Sequence, residues 1–193
     1  RRRYDLPIRS AMFTDIPGLS WEVVPALARR GVRYFSNGPN YIEAMPDGGD
    51  RIGSTLREQG DRPFWWKSAS GQDSILFWTC GKGYSSWHGF APGAVADRGP
   101  RKIADYLKTL EAAAYPYDIV QWRYNIVSDN GPIDTAISDF VRAWNEKYAS
   151  PRLVLANVND VFERFEKQYG HAIPVRAGDF TPYWEDGAYS TAA

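Results

Sequence analysis

Three aspartates stand just beyond apolar, strand-like runs: Asp15 after Ile8–Thr14, Asp129 after Tyr117–Asn125, and Asp179 after Ile173–Arg176. A carboxylate at the C-terminal end of a strand lies where α/β barrels and open α/β sheets carry their chemistry. Two such groups can cleave a glycosidic bond with retention, one as nucleophile and one as general acid/base, when they sit about 5–5.5 Å apart. The ends of parallel strands point the same way, so Asp15, Asp129 and Asp179 are expected to line one end of a sheet. Each also has a plainer reading. Asp15 opens the turn Asp15-Ile16-Pro17-Gly18, which it could simply cap. Asp129 opens Asp129-Asn130-Gly131-Pro132, a turn that could cap the next helix.

The elements that must position these residues alternate along the chain. Strands are predicted at Ile8–Thr14, Val32–Ser36, Phe64–Ser68, Ser74–Thr79, Tyr117–Asn125 and Arg152–Leu155. Helices are predicted at Ser20–Arg30, Arg51–Gln59, Arg101–Ala113, Ile133–Tyr148 and Val158–Tyr169. Gly31 reads as the stop of the first helix. Ile133, Ile137, Phe140, Val141, Trp144 and Tyr148 recur at helical spacing, and Pro132 suits a first-turn position. Asn157 suits an N-cap, followed by a stripe of Val161, Phe162, Phe165 and Tyr169. Both stripes are core. This rhythm predicts one α/β domain with a mostly parallel sheet covered by helices. Asn37–Asp50 and Gly81–Gly99 read as long loops, and long loops in such domains tend to carry function.

Composition narrows the classes without choosing one. The 193 residues are 44% hydrophobic and 24% charged, as in ordinary globular domains. Net charge is zero, which leaves no electrostatic case for nucleic acid or an anionic membrane. No run of about 18 apolar residues is present, so no membrane span is expected. Cys80 is the only cysteine, so no disulfide can form within the chain. Aromatic residues reach 15%. Aromatic faces cover the apolar faces of pyranose rings in sugar clefts, but most of these rings are expected to be core. The compartment stays open, with an extracellular or periplasmic setting favoured over a cytoplasmic one.

Ala11-Met12-Phe13-Thr14-Asp15-Ile16-Pro17-Gly18-Leu19-Ser20-Trp21 and the helix after it resemble the segment around the nucleophile of glycoside hydrolase family 38, the α-mannosidases. Asp15, Gly18 and Ser20 match that pattern; Ile16-Pro17 replaces Pro-Phe, and Leu19 stands where the family has His. Pro63–Lys67, Ser74–Trp78 and Gly83–Ser86 resemble the stretches around the family's aromatic loop. Val127–Asn130 falls where the family carries its Gly-Asp-Asp motif, and Gly178-Asp179-Phe180 resembles a stretch near the end of its barrel. The order is collinear over nearly the whole chain and is most similar to the divergent bacterial branch.

The resemblance implies a partial (β/α) barrel, residues 1–193 forming one incomplete domain of a longer catalytic barrel. It implies zinc-dependent hydrolysis of α-mannosides with Asp15 as nucleophile and zinc ligand and Asp129 as acid/base. Asn37, Tyr84, Trp87 and Asp179 would contact the oligosaccharide or glycan. Asn37 stands near where the eukaryotic enzymes carry an Arg. The chain's two histidines, His88 and His171, sit in neither a His-x-Asp nor a His-Glu-x-x-His arrangement. His88 reads as a surface loop residue. Asp15 is then the one expected zinc ligand, and the remaining ligands are expected in the parent outside this chain. The alternative of another class is a non-catalytic carbohydrate-binding or scaffold barrel that has lost the metal. A polysaccharide deacetylase-like barrel is disfavoured by the lack of paired histidines.

Overall fold

The computed structural model describes residues 4, 6–14, 19–38, 61–79, 87–127 and 131–179, with the backbone alone at 87–89. Seven strands and four helices lie among them. The strands are β1 (Ser10–Thr14), β2 (Tyr34–Gly38), β3 (Pro63–Lys67), β4 (Ser74–Thr79), β5 (Trp87–Phe90), β6 (Tyr124–Ile126) and β7 (Val175–Ala177). The helices are α1 (Val23–Ala28), α2 (Val95–Ala112), α3 (Ile137–Lys147) and α4 (Val158–Tyr169). The predicted helix Arg51–Gln59 lies outside the described residues. No described helix is long and apolar enough to cross a membrane. The chain divides into two compact units, one of Arg1–Tyr84 with Val158–Ala193 and one of Ser85–Asn157.

The first unit is built on a five-stranded sheet in the order β1-β2-β4-β3-β7. β1, β2 and β4 are parallel neighbours. β3 is antiparallel to β4, and β7 is parallel to β3. The sheet is therefore mostly parallel and, among the described residues, open. Its inner strands β3 and β4 read as near-continuous apolar runs because both faces are covered. Leu19, Val24, Phe35, Phe64, Trp66, Ile75 and Phe77 form the core of one face, against which Trp21, Val23 and Leu27 pack. On the other face the Phe162 ring of α4 meets Tyr34 and Trp78, and Phe165 meets Trp78. The turn that follows α1 includes Gly31, whose φ of 79° suits a residue without Cβ.

Indole N–H groups tie this sheet to neighbouring backbone. Trp66 donates to Gly178 O at 2.9 Å and Trp21 to Lys67 O at 2.7 Å. Buried indoles need such partners, and here carbonyls supply them.

The second unit pairs β5 and β6 in parallel and packs α2 and α3 on a core of Phe90, Val95, Ile103, Ile126, Phe140 and Trp144. α2 begins at Val95, inside the stretch that the sequence suggests is loop. Gly99, the last residue of the predicted loop, serves a close approach: a Cβ there would stand 2.8 Å from the Phe140 ring. Pro100 lies within the helix and removes one helical bond. Arg152–Leu155, predicted as a strand, forms none. Asn145 supplies the pairing instead, donating to Leu153 O and accepting from Leu153 N, both at 2.8 Å. Of Tyr117–Asn125, only the end is strand.

Candidate functional site

The C-terminal ends of β1, β2 and β4 come together because the three strands pair in register. Phe13 is opposite Asn37, Asn37 is opposite Thr79, and Thr14 is opposite Gly38. Residues paired across parallel strands share a face, and alternate residues along a strand return to it. Asn37 and Thr79 thus continue the apolar rows Phe35–Asn37 and Ile75–Phe77–Thr79 on the face that carries α1. Each is only 1% exposed. Neither Asn37 Nδ2 nor Thr79 Oγ1 has a hydrogen-bond partner among the described residues. Buried polar groups are nearly always paired, so two orphans side by side at a strand end mark the place.

Asp15 is the residue directly after β1; it lies outside the described residues, as do Tyr84 and Asp129. Trp87 opens β5, with its side chain outside the described set. Asp179 follows β7, which runs opposite to β1, β2 and β4. It therefore stands at the other end of the sheet from the end of β1, against the expectation that all three aspartates share one end. That expectation assumed parallel neighbours throughout, and the β3–β4 pair is antiparallel. β6, which precedes Asp129, belongs to the two-stranded sheet.

No protein-family model matches the chain, and no curated protein matches it.

Two observations bear on the approach to Asp129. Val127 has φ 69°, a strained conformation for a β-branched residue that costs about 1–3 kcal/mol. Gly131 lies so close to the strand that a Cβ would meet Ile126 O at 1.9 Å, so only glycine fits. Both residues that flank 128–130 are held in demanding geometry.

Sequence reasoning gave no role to Thr79 or Asp134. Thr79 is the one hydroxyl closing the apolar run Ile75–Trp78, which is the signal available for it. Asp134 is buried at 6% exposure and accepts from Tyr124 Oη, from Ala136 N at 3.0 Å and from Gly93 N at 3.4 Å. Burial pushes its carboxyl up, but these hydrogen bonds outweigh burial and hold it below its ordinary value. Burial, with the bond to Asp134, raises the Tyr124 phenol. Both are displaced away from neutrality, so the pair braces α3 rather than shuttling protons.

The zinc was expected to draw its remaining ligands from outside this chain, and Asp15 lies outside the described residues. Among them no group of three or more His, Cys, Asp or Glu could hold a metal ion. A catalytic zinc takes three protein ligands. The described residues do not fit that metal, and no step below runs through it.

Proposed function

We propose that this chain is part of a retaining glycoside hydrolase of the α-mannosidase type, a family 38-like (β/α) barrel acting on oligosaccharides. The observation that carries the reading is the joint ending of β1, β2 and β4, with Asp15 as the next residue after β1. The collinear motifs and the strained flank of Asp129 support it. Asn37, Tyr84 and Trp87 are the proposed glycan contacts; Asp179 is set aside because of its strand direction. The family's zinc would need ligands besides Asp15 that the described residues do not bring together.

In this reading the Asp15 carboxylate attacks the anomeric carbon while Asp129 gives its proton to the departing oxygen. The glycosyl–Asp15 ester is then hydrolysed by water, whose proton Asp129 takes up. The released sugar keeps its configuration, and both carboxyl groups return to their starting states.

A non-catalytic carbohydrate-binding protein is the second reading, favoured by β1 and β6 belonging to different sheets. Turnover separates the two. In the catalytically competent protein, Asp15→Asn abolishes release of nitrophenol from an aryl α-mannoside. Asp129→Asn slows substrates with poor leaving groups far more than activated aryl mannosides, which need little protonation. Wild-type rates for Asp15→Asn end the nucleophile assignment. Mannoside binding without turnover in the wild type selects the second reading.

A further inference from the structure

We infer that Asn37 and Thr79 form a two-point subsite for a single hydroxyl of the ligand, an inference that rests on the carbohydrate reading above. The two residues are register partners on adjacent parallel strands, so their side chains project from neighbouring points on one face. Asn37 Nδ2 can only donate, while Thr79 Oγ1 can donate or accept. Neither finds a partner among the described residues. A ligand hydroxyl matches both at once: its oxygen accepts from the amide, and its hydrogen goes to the threonine oxygen.

Burial sets the size of the group that enters. With each residue 1% exposed, the proposed subsite admits one hydroxyl and not a whole ring. The remainder of the sugar would lie beyond the strand ends. An apolar pair would pack at this position without unmet hydrogen bonds, since the same face is otherwise Phe35, Ile75 and Phe77. Polar groups that lower stability in the free protein and are satisfied by ligand are the expected trade between stability and function.

Thermal unfolding and sugar binding, measured together on the chain, test this. The probes are methyl α-D-mannopyranoside and, as comparison, its 2-deoxy and 3-deoxy analogues, followed by NMR titration. Thr79→Val keeps the shape and removes the hydroxyl; it is expected to raise the melting temperature and weaken mannoside binding at least tenfold. Thr79→Ser keeps the hydroxyl and is expected to retain binding within about threefold. The deoxy analogue that lacks the inserted hydroxyl should bind the wild type and Thr79→Val equally. Binding of the mannoside unchanged in Thr79→Val overturns the subsite while leaving the hydrolase reading intact. A lower melting temperature with unchanged binding also overturns it, because the hydroxyl then serves a buried water. No mannoside binding by the wild type overturns the subsite too; the hydrolase reading is judged separately, by turnover of Asp15→Asn.

Discussion

The two ends of strand β2 differ sharply in how their polar groups are satisfied. At its start, Tyr34 Oη donates to Glu166 Oε2 at 2.8 Å, and Arg33 Nε donates to the same carboxylate at 2.9 Å and 3.1 Å. The Arg33 guanidinium lies 4.8 Å from the centroid of the Trp65 ring. About 10 Å further along, at Asn37, the amide nitrogen has no partner among the described residues, nor has the hydroxyl of Thr79 beside it. One strand and one sheet thus carry a closed network at one end and an open one at the other. The unpaired end lies at the strand termini that α/β proteins use for ligands.

The largest effect is expected at the paired end. Glu166→Ala leaves the buried Tyr34 hydroxyl without an acceptor and should cost about 2 kcal/mol, read from denaturant unfolding. A loss below about 0.5 kcal/mol would reduce the network to an ordinary surface ion pair and erase the contrast. At the open end the sign should reverse: Thr79→Val should gain about 1 kcal/mol by removing an unmet group. A loss there would show that both ends are structural.

Coupling between Tyr34 and Glu166 sharpens the picture further. In a Glu166→Ala background, adding Tyr34→Phe should recover roughly 0.5–1 kcal/mol, because the orphaned hydroxyl goes with it. Simple additivity of the two changes would mean that the phenol never depended on the carboxylate.

The smallest expected signal is in acid. The hydrogen bonds from Arg33, then Tyr34, hold the Glu166 carboxyl below its ordinary value, against the opposing effect of burial. A folded-state value below the unfolded one means that Glu166 contributes fully above the ordinary glutamate range. That contribution is lost as pH falls through the lower, folded value. Burial, with the bond to Glu166, pushes the Tyr34 phenol up to about 12, so it stays protonated across this range. The stability difference between wild type and Glu166→Gln should therefore shrink on going from pH 7 to pH 3. A constant difference would place the effect elsewhere.

Much of this arrangement was legible in the chain where one period dominated. The apolar stripe Val161, Phe162, Phe165 and Tyr169 set α4 to the residue, and the run Ser74–Thr79 set β4. The mostly parallel sheet followed from their alternation. What escaped was information held by partners distant in sequence. Gly99-Pro100 looks like a break because nothing local shows Phe140 lying against the glycine. Arg152–Leu155 has strand composition, but Asn145 takes the place of a neighbouring strand. Strand direction is equally non-local, which is why Asp179 was expected beside Asp15. Thr79 was passed over because a lone hydroxyl after apolar residues carries no signal until its lack of a partner is seen.

The tryptophans give this molecule a built-in optical readout. Trp66 and Trp78 are sealed in the first unit, and Trp144 is nearly so in the second, where its indole donates to Pro151 O at 2.7 Å. Indoles kept from water emit at shorter wavelength than hydrated ones, so the melting of either unit shifts fluorescence to the red. Replacing every tryptophan of one unit with phenylalanine would leave the other unit to be watched alone. Light would then tell whether the β1–β4 sheet and the α2–α3 unit let go in one step or in two.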